Sequence, residues 1–115
     1  MPITPDLRLR IMRDDLPAMG PGKARLIELV ALYGSISAAA RELNMSYRRA
    51  WLLTDAVNSS FKKPLVATEV GGKKGGGAIV TEHGKKIVSL YRQMEKKALR
   101  AIESDLKHLK AHIKA

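Results

Sequence analysis

The side chains able to do chemistry are few and scattered along the chain. His108 and His112 stand four residues apart, with Asp105 three residues before the first. On a helix that spacing puts all three on one side, the arrangement of a weak metal site. A polar stripe on a terminal helix has the same pattern and is the preferred reading. The third histidine, His83, has no nucleophile beside it, and no carboxylate cluster suggests acid–base work. Cysteine is absent, which removes disulfides, thiolate ligands and thiol catalysis together. The glycines between 71 and 77 lack the GxxxxGK[ST] spacing of a phosphate-binding loop that opens a helix. Neither an enzyme nor a cofactor is expected.

The cations are a different matter. Lys and Arg number 21 against 11 Asp and Glu, a formal charge of +10 on 115 residues. An excess of that size on one small domain attracts polyanions. The arginines worth singling out are Arg48 and Arg49, which follow Ser46 and Tyr47. Arginine can hold guanine O6 and N7 in two parallel hydrogen bonds, worth roughly 1–3 kcal/mol of discrimination per good pair. Arg48 and Arg49 differ by about 100° around a helix, so only one of them is expected to reach a base. The competing reading is phosphate contact, or an ion pair with Asp55. Ser46 reads first as a helix cap. Tyr47 either reaches a phosphate or packs its ring beside the glycine-rich stretch, and Trp51 has a structural role at the edge of the buried face.

The elements that must position these residues follow from the hydrophobic period. Leu7, Leu9 and Ile11 alternate with Arg8, Arg10 and Met12, a period of two that predicts one half-buried strand ended by Asp14, Asp15 and Pro17. Met19 to Gly22 reads as a loop. From Lys23 the period becomes helical through Leu26, Ile27, Val30 and Tyr33, and it stops at Gly34. Ser37 is expected to cap a short alanine-rich helix through Leu43. Asn44 is suited to the left-handed turn that follows. Ser46 then caps a second helix of about a dozen residues, with Ala50, Leu53, Thr54 and Val57 inward and Arg48, Leu52 and Asp55 outward. Leu52 is the awkward apolar residue on the outward face: either it touches thymine methyls or the helix is rotated from this register.

A short small-residue helix, a tight turn and a capped helix with basic residues in its first turn form the helix-turn-helix pattern. Residues 65–70 and 78–80 are candidate strands around Gly71 to Gly77, which together make a β-hairpin wing carrying Lys73 and Lys74 at its tip. Ser35 and Ser37 sit where the motif's first helix would meet a phosphate, though local capping explains them as well. Lys62, Lys63, Lys85 and Lys86 are further phosphate candidates, each weak alone. The fold expected is mostly α with a small β wing.

From Thr81 an uninterrupted helix is predicted, about 45 Å long at 1.5 Å per residue. Its stripe of Ile87, Tyr91, Met94, Ala98, Ile102, Leu106 and Leu109, widened by Leu90 and extended by Ile113, exceeds what one small globule can cover. The chain is therefore read as a DNA-binding unit over 1–84 and a dimerisation helix over 85–115, pairing with a second copy. No run approaches the roughly 18 apolar residues of a membrane span, and the first residues lack a signal-peptide core. A cytoplasmic, nucleoid-associated homodimer on double-stranded DNA, with no membrane partner, is expected.

The run GSISAAARELNMSYRRAW, followed by GGKKGGGAIVTEHG, resembles the DNA-binding domain of the molybdate-responsive ModE regulators and, more distantly, LysR-type regulators. Ser46-Tyr47 with Ala50-Trp51 and the many wing glycines are specific to the ModE side. The resemblance runs from about Ile3 into the final helix. It implies a winged helix-turn-helix dimer, a sequence-specific operator and a link to molybdenum metabolism. Family members that sense molybdate do so through C-terminal oxyanion-binding domains, whose motif this sequence does not contain. Transcription regulation by DNA binding, without direct oxyanion sensing, is the function expected. The alternative is an architectural protein that coats DNA with little sequence preference.

Overall fold

A computed structural model of the chain describes residues 2–69 and 77–114. The alternating N-terminal stretch forms a hairpin where one strand was expected: β1 spans Ile11–Arg13 and β2 spans Leu16–Met19, paired antiparallel with Arg13 opposite Leu16. Asp14 and Asp15 are the turn between them, not a terminus. Asp14 takes a positive φ of 53°, which a short polar side chain tolerates. Pro17 lies inside β2 opposite Met12, acceptable in a two-stranded sheet where every strand is an edge. Leu7 and Leu9 precede the strand, yet Leu9 still packs on the core.

Helix α1 spans Pro21–Tyr33, so the expected loop ends two residues early. Proline suits a first helical position, because the amide it lacks would have had no partner there. Gly34 closes the helix in the left-handed conformation, φ 73°, its amide donating to the Val30 carbonyl. Helix α2 spans Ile36–Glu42 and is capped by Ser35, whose hydroxyl accepts from the Ala38 amide at 3.1 Å. The cap expected at Ser37 is therefore displaced by two residues. Ile36 is buried and must already be helical, which leaves the capping place to the residue before it. Asn44, at φ 53°, turns the chain into α3, which spans Tyr47–Ser60.

The wing strands β3, Val66–Thr68, and β4, Ala78–Val80, pair antiparallel with Ala67 opposite Ile79. Asn58 fixes the approach to β3: its carbonyl oxygen accepts from the Leu65 and Val66 amides, and its amide donates to the Val66 carbonyl. The Ala78 amide donates to the Gly34 carbonyl at 2.9 Å, joining β4 to the end of α1. The core is almost wholly aliphatic. Met19, Leu26, Val30, Val57 and Leu65 are its largest fully buried side chains, with small Ala24, Ala39 and Ala50 letting the three helices approach.

Thr81, read from sequence as the start of the last element, is the N-cap of α4, Glu82–Ala101. Its hydroxyl accepts from the Gly84 amide and donates to the Pro64 carbonyl, so one side chain starts the helix and closes the base of the wing. The uninterrupted terminal helix is not observed. Ile102, at φ −97° and ψ 0°, separates α4 from α5, Glu103–Lys110, without a proline or glycine at the break. The expected boundary after Gly84 falls inside α4, whose first turns pack on the core through Gly84, Val88 and Tyr91. The molecule measures 58 × 30 × 24 Å. An N-terminal hairpin, three helices, a β wing and the closing helices α4 and α5 make a mostly α winged helix-turn-helix.

Candidate nucleic-acid interface

The interface is built outward from a buried stripe on α3. Ala50, Thr54 and Val57 face the core, and Thr54 satisfies its hydroxyl on the Ala50 carbonyl at 2.9 Å. Turning that stripe inward forces Arg48, Leu52 and Asp55 outward. All three are exposed, Leu52 at 59% of its surface. The rotation expected from sequence is the one observed.

At the N-terminal end of α3, Ser46 has extended backbone and its hydroxyl accepts from the Arg49 amide at 3.0 Å. The tight turn behind it is closed by the Met45 amide on the Ala40 carbonyl. Ser46, Tyr47, Arg48 and Arg49 are all exposed. Tyr47 meets Trp51 edge-to-face, with ring centroids 6.0 Å apart at 77°. Trp51 in turn is half-buried against the core, as expected of a structural residue. Among the described residues neither Arg48 nor Arg49 forms an ion pair with Asp55 or any other carboxylate. Two arginines are thus presented at the positive end of a helix with their heads uncommitted.

The other expected contacts fare unevenly. Ser35 commits its hydroxyl to the α2 cap, and Ser37 lies within α2, half-buried. Lys62 and Lys63 are exposed just past the end of α3. Lys85 pairs with Glu82 at 3.3 Å on the open surface, and Lys86 is exposed nearby. Lys73 and Lys74 lie outside the described residues. At the base of the wing the Glu69 amide donates to the Gly77 carbonyl at 2.9 Å.

The closing segment of α4 and α5 divides its apolar residues between two uses. Tyr91, expected at an interface between copies, is 2% exposed within its own chain, and its hydroxyl donates to the Leu9 carbonyl at 2.7 Å. It belongs to the core. Burial and the neighbouring Glu95 carboxylate push its phenol up to about 12. Ile87 is half-buried on the same side. Leu90, Met94, Ile102, Leu109 and Ile113 remain exposed, Met94 at 43% and Leu109 at 58%, while Ala98 and Leu106 are half-buried.

Sequence reasoning missed the polar ties that hold α4 in place. Arg92 donates to both carboxylate oxygens of Glu28 on α1, at 3.1 and 2.7 Å, and to Glu95 at 2.7 Å. Those partners hold the guanidinium above its ordinary range, against the opposing effect of burial. Lys23 turns its ammonium onto the Pro17 carbonyl, and burial lowers its pKa. No local signal marks such pairs, since an isolated charge on a helix reads as a solvated one.

No family model matches the chain. Individual proteins do. The molybdenum-pterin-binding protein MopA of Rhodobacter capsulatus is 38% identical over 87 residues, 76% of this chain and 33% of MopA. The molybdenum transport protein ModE of Azotobacter vinelandii is 36% identical over 88 residues, 76% of this chain and 33% of that protein. The DNA-binding transcriptional dual regulator ModE of Escherichia coli (strain K12) is 35% identical over 88 residues, 74% of this chain and 34% of its own length. The chain spans about a third of the length of these curated relatives. Over that third, the chain is similar in sequence to the ModE and Mop proteins.

Proposed function

We propose that this chain is a transcription regulator that binds double-stranded DNA in a sequence-specific way, as a homodimer in the cytoplasm, and that it is not an enzyme. The observation that carries the reading is the exposed, capped end of α3, where Ser46 to Arg49 stand clear of the core with both arginines unpaired among the described residues. Such an end fits the major groove, with Arg48 or Arg49 reading guanine and Leu52 available to a thymine methyl. Ser35, Ser37, Lys62 and Lys63, with Lys73 and Lys74 of the wing, serve the phosphates around it. Similarity to a relative named as a DNA-binding transcriptional regulator supports the same reading. No helix among the described residues is long and apolar enough to cross a membrane.

In this reading residues 1–84 form the DNA-binding unit and 85–115 the dimerisation segment, made of α4 beyond Gly84 together with α5, and its first turns also pack on the core. Two copies meet through Ile87, Met94, Ala98, Ile102, Leu106 and Leu109, with Leu90 beside them, while Tyr91 supports this face from within. A two-fold pair presents two α3 ends to a symmetric site.

Footprinting on genomic fragments tests the proposal. Discrete protected sites are expected, bound at least about 10³-fold more tightly than unrelated duplex. Smooth coverage without preferred sites would instead identify a DNA-coating protein. Sedimentation tests the assembly: the chain is expected to run as a dimer and its Met94→Asp/Leu109→Asp variant as a monomer.

A further inference from the structure

The N-terminal arm carries cations that the α3 interface does not account for. Residues 2–10 run ahead of β1 without regular structure, and their path is fixed at one point. The Leu9 carbonyl accepts from the Tyr91 hydroxyl, and the Leu9 side chain packs on the core. With Leu9 turned inward, its neighbours Arg8 and Arg10 are both exposed. The stem of Arg10 lies over Gly20, its Cγ 3.6 Å from where a β-carbon on that glycine would sit.

Arg8 and Arg10 line an open groove of about 580 Å³ that reaches the N-terminal part of α3, where Met45, Arg49 and Leu53 also line it. Three arginines from two distant stretches of sequence therefore share one concavity. The negative group inside it is Asp6, which pairs with Arg8 at 3.3 Å with both side chains about three-quarters exposed. A pair so open to water is worth little and exchanges readily for a stronger anion. Lys23, also in the wall, is already committed to the Pro17 carbonyl.

We propose that this arm is a second DNA-contacting element, in which Arg8 and Arg10 grip the phosphate backbone beside the site read by α3. A backbone fits better than a small anion. The groove is open, runs continuously into the end of α3, and no buried side-chain polar atom among the described residues waits for a ligand within it. Phosphate contacts of this kind set register and affinity without reading sequence. The inference rests on the proposed DNA binding.

Fluorescence anisotropy of the full chain, on a duplex carrying a footprinted site and on a scrambled duplex, tests it across a salt series. The Arg8→Ala/Arg10→Ala variant is expected to lower the slope of log K against log salt by about 1.8, at about 0.9 per phosphate contact. At low salt its affinity should fall about tenfold or more on both duplexes alike, leaving the ratio between them unchanged. Arg8→Lys/Arg10→Lys should restore the slope. An alanine variant with the wild-type slope, a lysine variant that restores nothing, or a loss confined to the footprinted duplex would each overturn the arm's role. A wild-type chain that bound neither duplex would instead remove the DNA reading itself.

Discussion

Arg92 and Glu28 lie 64 positions apart in the chain and meet through two parallel hydrogen bonds of 3.1 and 2.7 Å. The same guanidinium bonds Glu95, so one cation neutralises two carboxylates and pins α4 across α1. Arg92→Ala leaves those carboxylates near one another without a cation. The pair is about a third exposed, which discounts the interaction. A loss of about 1–2 kcal/mol is expected in urea unfolding. Wild-type stability in the variant would mean that α4 is held by Val88 and Tyr91 alone.

Gly84 sits where α4 crosses the entry to the wing. A β-carbon there would stand 2.3 Å from the Leu65 carbonyl oxygen and 2.8 Å from Val80. Alanine gains up to about 1 kcal/mol in helix propensity. The clash is with backbone, however, and overpacking costs about 1–3 kcal/mol or more. Gly84→Ala is expected to lower the melting temperature and loosen the Thr81 amide, read by hydrogen exchange. An unchanged melting temperature would show that α4 slides at little cost.

Much of the α3 end is legible in the sequence, because its signals are local: Ser46 before a helical period, Asn44 at a left-handed turn, Ala50, Thr54 and Val57 on one side. Three features are not. Asp14 and Asp15 read as a stop, yet the same turn propensity makes a hairpin once Ala18 and Met19 find the core. Ser35 and Ser37 both precede alanines, and only the burial of Ile36 chooses between them. Tyr91 shares the period of the exposed stripe with Met94, yet its ring packs in the core and its hydroxyl bonds the Leu9 carbonyl, a contact 82 positions away.

The serine choice can be measured. Ser35→Ala removes the acceptor of the Ala38 amide and should cost about 1 kcal/mol in chemical denaturation. Ser37→Ala, within the helix, should cost less than half of that. The reverse ranking would restore Ser37 as the cap.

Arg48 is exposed on the outward face of α3, away from the buried stripe, so its loss should leave the fold alone. Arg48→Ala is expected to keep wild-type circular dichroism and melting. The ratio of specific to unrelated binding should fall by the equivalent of about 1–3 kcal/mol. Wild-type site preference in that variant would move the base contact to Arg49 or Tyr47.

Tyr91 makes the fold sensitive to alkali. Its phenol ionises near 10 in an unfolded chain, whereas burial first, and Glu95 second, push it up to about 12 in the folded one. Between those values the folded state keeps a proton that the unfolded state has released. Stability from this group is therefore complete below pH 10 and drains away as pH rises toward 12. The loss is on the order of 2 kcal/mol across that window. Tyr91→Phe removes the titration together with the hydrogen bond to Leu9. It should be less stable than wild type at pH 8, and its stability should fall less steeply above pH 10. Every other side chain is common to both proteins, so the difference between the two curves isolates the phenol. Parallel curves would mean that the ring is solvated when folded and that Leu9 is held by packing alone.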